Sequence, residues 1–195
     1  MIRKSVGAIF GEVRTEKFRF ILSGDAKQND YVKVWHEPEG WILARIISLT
    51  RSDDGTIAEA EVIGYKDESG LLRMPKSPFS PGDSVFSADN DLIRNTLGLA
   101  SGDAYIGLLE GTDVRVYLNV NSLVQKHCSI LAKTGSGKSY TAGVILEELL
   151  EKEIPLVIID PHGEYSSLKY ENDENQMEKY GITPRGYRSR VIVYT

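Results

Sequence analysis

The sequence predicts two parts of different fold class, a closed all-β barrel followed by the first, incomplete part of an α/β domain. Two observations lead to this prediction. Up to about residue 87, short runs rich in β-branched and aromatic residues alternate with turn residues, and no helical period occurs. Beyond that point the order becomes strand, glycine loop, helix, strand. The predicted domains are therefore 1–88 and 89–195.

Six apolar runs are the predicted strands of the first part. They are SVGAIFGEV, FRFILSGD, DYVKVWHE, GWILARIISLT, GTIAEAEVIGY and GDSVFSAD. Asp54-Gly55, between the fourth and fifth runs, is a strong hairpin signal. Pro75, Pro78 and Pro81 come before the last run and do not fit inside a central strand. This spacing predicts a closed module of about six strands.

The second part begins with a short helix, predicted from DNDLIRNTLG, which Asp89 or Asn90 opens and Gly98 ends. Two strands joined at Glu110-Gly111 follow. Three continuous apolar runs then read as buried strands of a parallel sheet: HCSILA, IPLVIID and SRVIVYT. Between the first two, SYTAGVILEELLEKE predicts an amphipathic helix. Five of its residues are expected to face inward: Val144, Ile145, Leu146, Leu149 and Leu150.

Composition narrows the classes of function. Lys and Arg number 23 against 28 Asp and Glu, so the net charge of −5 is opposite to that of a typical free-standing nucleic-acid-binding domain. Cys128 is the single cysteine, which excludes an internal disulfide and fits a reducing compartment. No apolar run is long enough to span a bilayer, and the first residues do not resemble a signal peptide. We therefore expect a cytoplasmic protein without membrane contact.

The stretch LAKTGSGKSY carries the phosphate-binding pattern G-x-x-x-x-G-K-[ST], with Ala132 at the position of the first glycine. A β-carbon is tolerable there if φ stays negative. Gly135 and Gly137 allow backbone N–H groups to surround a phosphate at the positive end of the following helix. Lys138 is predicted to reach the β- and γ-phosphates of ATP, and Ser139 to bind Mg²⁺. The alternative is a flexible turn, but the position between an apolar strand and an apolar-faced helix favours nucleotide binding.

A second motif, IIDPHGEY, follows the next predicted strand. Asp160 ends that strand, where α/β sheets bind ligands, so we expect it to face the phosphates with Glu164 close behind. Both are candidate catalytic residues, as is Lys138. The alternative is that Pro161 and Gly163 form a turn which Asp160 stabilises by hydrogen bonds.

These residues carry a family resemblance. The stretch ILAKTGSGKSYTAGVILEELLEKEIPLVIIDPHGEY resembles the HerA family of hexameric DNA helicase-translocases, within the HerA/FtsK group of ring ATPases. YIGLLEGTDVRVYLNVNSLVQKH extends the match upstream, and the β-rich part is similar to the HAS-barrel of that family. The resemblance is most specific from Tyr105 to Tyr165. It implies a RecA-like P-loop ATPase core that continues beyond this chain to a Walker B pair and an arginine finger.

The resemblance also implies site residues. Six match the nucleotide loop of the family: Gly135, Ser136, Gly137, Lys138, Ser139 and Tyr140. Lys126 stands where HerA-like proteins carry a basic residue near the nucleotide, although a solvated lysine at a strand end is an equal reading. The implied cofactors are ATP and Mg²⁺, with Ser139 as the metal ligand.

The implied function is that of an ATP-dependent DNA translocase and helicase in DNA end resection and recombinational repair. The implied partners are five further copies in a homohexamer, duplex DNA, a NurA-type nuclease bound through the barrel, and the Mre11–Rad50 complex. Alternatives are a secretion or conjugation ring ATPase and a non-catalytic assembly module. Residues 1–88 carry 12 basic and 13 acidic side chains, which favours protein over DNA as the barrel's partner. This chain alone is expected to self-associate and not to hydrolyse ATP.

Overall fold

The computed structural model describes residues 5–53, 55–99, 101–172 and 180–194, and the chain forms two compact units. The first unit consists of residues 1–100 with Leu109–Val114. The second consists of Ser101–Leu108 with Arg115–Thr195. Each unit has its own core, so the two are described separately. The domain division near residue 88 stays a prediction.

The first unit is built from strands and one helix. In the described residues its strands are β1 (Ser5–Phe10), β2 (Lys17–Leu22), β3 (Tyr31–His36), β4 (Gly40–Ser52), β5 (Gly55–Lys66), β6 (Leu72–Arg73) and β7 (Ser84–Ser87). Its helix is α1 (Asn90–Leu97). All strand pairs are antiparallel, as is typical of chains that connect neighbouring strands by short turns.

Six of these strands close into a barrel. They follow the order β2-β1-β7-β3-β4-β5, and β5 pairs again with β2, for example at Phe20 and Ala58. The short strand β6 adds to β5 outside this ring. The predicted closed barrel of about six strands is therefore confirmed. The β4–β5 hairpin is confirmed as well, with Ser52 opposite Gly55, while Asp54 lies outside the described residues.

The barrel interior is filled by alternate residues of the strands, as the two-residue period of a strand requires. Phe18 and Phe20 of β2 are buried, while Arg19 between them and Ile21 after them are exposed. Phe18 packs edge-on against Phe79 at 5.2 Å between ring centroids. The buried side chains form one continuous core: Val6, Ile9, Phe18, Phe20, Val32, Val34, Ile42, Ala44, Ile46, Ala58, Ala60, Val62, Phe79 and Val85.

Helix α1 packs on the outside of the barrel and is tied to it by a buried ion pair. Asp89 caps the helix, because its Oδ1 accepts a hydrogen bond from the Leu92 N–H at 3.0 Å. Its Oδ2 lies 2.6 Å from Nζ of Lys33, a side chain only 1% exposed. The same ammonium lies 4.5 Å above the ring of Trp41. The helix ends at Gly98 with φ of 71°, so the predicted helix and both of its boundaries are confirmed.

A second buried polar pair lies at the β3–β4 turn. Nδ1 of His36 is 2.6 Å from Oε2 of Glu39, and both side chains are less than 10% exposed. Burial alone would raise the pKa of Glu39, but hydrogen bonds from His36 and from the backbone N–H groups of Glu39 and Lys76 lower it below its ordinary value of 4.5. Glu39 therefore stays ionised in the folded barrel.

The Glu39 carboxylate makes the stability of the barrel depend on acid pH. A carboxyl whose pKa is lowered by folding contributes stability that is complete above its unfolded value of 4.5 and is lost as pH falls through its folded value. We expect urea unfolding to show a steeper loss of stability below pH 4.5 in the wild type than in Glu39→Gln. Glu37→Gln, at an exposed neighbouring carboxyl, is the control and should keep the wild-type slope.

The described second unit contains a two-stranded sheet and short helices. Its elements are β8 (Ala104–Leu108), β9 (Arg115–Leu118), α2 (Val120–Gln125), α3 (Lys138–Glu151) and a 3-10 helix (Glu164–Lys169). The two strands and α3 confirm the predictions, whereas α2 was not predicted. A small core joins Ala104, Val120 and Leu149. In the described part of the chain, no helix is long and apolar enough to cross a membrane.

The three predicted parallel strands are wrong for the described residues. HCSILA, IPLVIID and SRVIVYT form no strand in the parts of the chain that the structure describes; Ser189 and Arg190 lie in a turn, and Thr195 lies outside the described residues. Leu131, Val157 and Ile159 are 91%, 94% and 88% exposed. Apolar composition predicts a buried strand, but a parallel strand forms only where a neighbour satisfies its N–H and C=O groups. The described residues therefore do not show the predicted P-loop α/β sheet.

The inward face predicted for α3 is also only partly correct. Leu149 is buried, and Ile145 packs with it against Ala104 and Val120. Val144 instead lines a cleft, and the other two predicted residues are partly exposed. In the described residues, the apolar contacts of α3 with Ala104 and Val120 lie on its side near β8.

Candidate phosphate-binding site

The loop before α3 has the backbone conformation that its glycines predict. Gly135 and Gly137 lie in the left-handed region with φ of 81° and 87°. A β-carbon at either glycine would meet nothing within 4 Å, so these positions favour glycine because of their backbone angles and not because of crowding. Ser136 closes the turn, since its N–H and Oγ donate to the Lys133 carbonyl at 3.2 and 2.6 Å.

Helix α3 begins directly after this loop. Gly137 is its N-cap residue and has no side chain that could accept from the first-turn N–H groups. Lys138 is the first helical residue and is exposed, and Ser139 is second and partly buried. The helix is 14 residues long, so its N-terminus presents N–H donors and a positive dipole end beside the lysine. This combination of groups suits an anion.

The conformation of Gly137 gives a prediction for stability. Gly137→Ala should destabilise the second unit by about 1–2 kcal/mol, because an L-residue is strained at this φ. The control is Gly143→Ala in the interior of the same helix, where a β-carbon would meet nothing within 4 Å. That change should be neutral or stabilising by up to about 1 kcal/mol. Urea unfolding of both variants tests this, and equal stability of Gly137→Ala and the wild type would contradict it.

Asp160 accepts hydrogen bonds from backbone N–H groups of the turn that follows it. Its Oδ2 accepts the Tyr165 N–H at 2.8 Å, and its carbonyl accepts the Gly163 N–H at 3.3 Å. The Tyr165 N–H is the largest cause of the lowered pKa of Asp160; burial, the next largest, raises this pKa, and three further backbone N–H groups, from residues 162–164, lower it. The turn predicted as the alternative therefore forms, and Gly163 opens the 3-10 helix from the left-handed region. A role of Asp160 toward phosphates stays a prediction.

One cleft in the second unit collects three of the predicted residues. It has a volume of about 930 Å³ and runs along α3 and the 3-10 helix. Ser139 and Tyr140 line it from the start of α3, and Glu164 from the start of the 3-10 helix. The predicted residues that do not line it in the described parts of the chain are Lys126, Gly135, Ser136, Gly137, Lys138 and Asp160. Lys126 is exposed at the end of α2.

The wall of this cleft is acidic, which the sequence did not predict. Glu147, Glu148 and Glu151 line it along α3. Burial and the two neighbouring carboxylates raise the pKa of Glu147. Because carboxylates repel phosphate groups, the glycine loop and not the cleft is the part of this unit that suits a phosphate. Glu151 follows Glu148 by three residues and Glu147 by four, a spacing that places it beside each of them on a helix surface and was a readable signal.

The far end of α3 is held by the segment that follows residue 180. Arg185 Nη1 donates to both carboxylate oxygens of Glu151 at 3.1 Å, and the Tyr187 hydroxyl donates to the same carboxylate at 2.8 Å. Burial and this contact raise the pKa of Tyr187 well above its usual range. Arg190 donates to the Leu150 carbonyl at 2.9 Å, which satisfies one of the free carbonyls at the helix end. The position of α3 is therefore fixed at the end opposite the loop.

The chain combines a barrel with a glycine loop directly before α3. This is the combination for which the sequence resembles HerA-type helicases. Comparison with known families confirms that class: residues 104–195 match the family described as the central domain of helicase HerA. This part of the chain belongs to the family of HerA helicase central domains.

Individual proteins that are similar to this chain carry the name of the same helicase family. A probable DNA double-strand break repair helicase HerA of Methanocaldococcus jannaschii is 32% identical over 170 residues, which cover 87% of this chain and 34% of the relative. DNA double-strand break repair helicase HerA of Sulfurisphaera tokodaii is 39% identical over 204 residues, covering 92% of this chain and 40% of the relative. The homologue of Pyrococcus furiosus is 34% identical over 119 residues, covering 60% and 21%. The chain thus spans about a third to two fifths of the first two relatives.

Proposed function

We propose that this chain supplies the barrel and the phosphate-binding loop of an ATP-driven DNA helicase and translocase. The observation that carries the proposal is the start of α3, where two left-handed glycines precede Lys138 and Ser139 at an uncapped helix N-terminus. The loop lies inside the region that matches HerA central domains. The names of the relatives, as DNA double-strand break repair helicases, support DNA as the substrate.

Each residue of the loop has a proposed task. The N–H groups of Gly135, Ser136 and Gly137 surround a phosphate, and the Lys138 ammonium neutralises its charge. The Ser139 hydroxyl is the one protein ligand we assign to Mg²⁺, which keeps several waters and phosphate oxygens in such sites. This assignment fits the described residues, where no three His, Cys, Asp or Glu side chains are grouped as metal ligands. The bound metal nucleotide supplies the phosphoryl group whose hydrolysis drives movement on DNA.

Tyr140 and Lys126 flank the nucleotide, as the family resemblance implies. Asp160 and Glu164, which follow the apolar run IPLVIID, act on the phosphate side. In the complete assembly we propose a homohexameric ring that moves on duplex DNA during end resection and recombinational repair. The barrel would contact its neighbours and a NurA-type nuclease, and the ring would work with Mre11–Rad50.

Nucleotide binding and turnover by the chain itself test the proposal. Titration calorimetry with ADP or ATP, in Mg²⁺, should show weak binding. Phosphate release should not rise when duplex DNA is added, because the loop alone does not position an attacking water. Absence of any nucleotide binding would contradict the assignment of the loop. Turnover that depends on Lys138 would instead show that the chain holds a complete active site.

A further inference from the structure

A hydrogen-bonded row of three side chains lies on the first unit, apart from the glycine loop. Oγ of Ser77 is 3.3 Å from Nε2 of His36, and Nδ1 of His36 is 2.6 Å from Oε2 of Glu39. His36 and Glu39 are buried, whereas Ser77 is exposed. A hydroxyl open to solvent, a histidine behind it and a carboxylate behind the histidine are the parts of an activated serine.

The two contacts of the histidine fix the direction of its hydrogen bonds. The ionised Glu39 carboxylate can only accept, so in the neutral form of the His36 ring Nδ1 carries the proton and donates it. Nε2 is then left with a lone pair directed at the Ser77 hydroxyl. His36 is therefore in the tautomer that can remove the Ser77 proton.

The loop that carries Ser77 is anchored on both sides. Pro75 and Phe79 are buried, and the Phe79 ring packs edge-on against His36 at 5.4 Å between centroids. Ser77 therefore lies between two buried residues, with its hydroxyl at the His36 imidazole.

We propose that Ser77 is a modification site, at which its hydroxyl is acylated by an activated acyl donor of the ester or thioester class. The Ser77 oxygen attacks the carbonyl carbon of the donor while its proton passes to Nε2 of His36. The bond from that carbon to the leaving oxygen or sulfur breaks, and the leaving group takes the proton from His36. The products are an O-acylated serine and a free alcohol or thiol, and Glu39 stays ionised throughout.

The test uses p-nitrophenyl acetate on the complete 195-residue chain, with peptide mass mapping to locate the acetyl group. Ser80 is a matched internal control, because it is exposed in the same loop and also precedes a proline. It differs in that its backbone N–H donates to Asp83 and that it lies three residues after Ser77, whose hydroxyl contacts His36. We expect Ser77 to be acetylated at least about tenfold faster than Ser80. In His36→Gln the Ser77 rate should fall by roughly 10²-fold, the usual contribution of a general base, while the Ser80 rate stays unchanged.

Two results would overturn the proposal: equal acetylation of Ser77 and Ser80 in the wild type, or a Ser77 rate that His36→Gln leaves unchanged. A histidine that only fills the barrel gives both results. Ser77→Ala, at an exposed position, verifies the assignment of the modified peptide. If His36→Gln does not fold by circular dichroism, the ratio of the two serines in the wild type decides alone.

Discussion

Lys138→Ala is expected to weaken binding of ADP and ATP to this chain by about 10- to 100-fold. The substitution removes the one side-chain cation that opens α3, and a hydrogen bond to a charged group contributes about 1.5–3 kcal/mol. Because the side chain is exposed, its loss should leave the fold intact. Titration calorimetry in the presence of Mg²⁺ measures the change.

Lys152→Ala is the control for this experiment. Lys152 is also exposed, but it is the C-cap residue after the last turn of α3. Its replacement by alanine changes the net charge by the same amount as Lys138→Ala and leaves the glycine loop unchanged. Its nucleotide affinity should stay within a factor of about two of the wild type, since distant exposed charges are screened. Equal losses in both variants would mean that net charge and not the loop attracts the nucleotide.

Phe20→Ala is expected to destabilise the barrel by about 3–5 kcal/mol, because it leaves a cavity in a closed core. The Phe20 side chain is fully buried and its strand pairs with both β1 and β5. A loss of this size is a large fraction of the stability of a small domain. Urea unfolding, followed by the fluorescence of Trp35 and Trp41, reports on this unit, because both tryptophans of the chain lie in it.

Ile21→Ala separates the effect of the core from that of the strand. Ile21 is the next residue of β2 and is 50% exposed on the outer face of the barrel. Its truncation should cost less than about 1 kcal/mol. If the two variants were equally unstable, the inward and outward faces assigned to β2 would be wrong.

The sequence predicted the local elements of the first unit because each is defined by neighbouring residues. The β4–β5 hairpin follows from a turn signal between two apolar runs, and α1 follows from Asp89 and Gly98 at its ends. The order of strands around the barrel could not be predicted, since β7 between β1 and β3 is a pairing of distant segments. The closing contact between β2 and β5 is likewise non-local.

The second unit shows the limit of the same reasoning. The glycine loop and α3 were predicted because phosphate-loop patterns are local, and their positive φ angles follow from Gly135 and Gly137. The prediction of parallel strands was wrong for the described residues, because an apolar run shows that its side chains favour burial but does not show whether a neighbouring strand is in place to pair with it. Helix α2 was missed although Asn119, which caps it by accepting the Ser122 N–H at 2.9 Å, was a readable signal.

The bond between Lys33 and Asp89 restricts how this protein can change during evolution. Loss of Asp89 alone would leave the buried Lys33 ammonium without this carboxylate and would remove a helix cap, and loss of Lys33 alone would leave the Asp89 carboxylate without this cation. A stable apolar pair in their place is reached only through one of these weakened intermediates. Selection for a stable fold therefore acts on these two positions together, although they lie 56 residues apart in the chain.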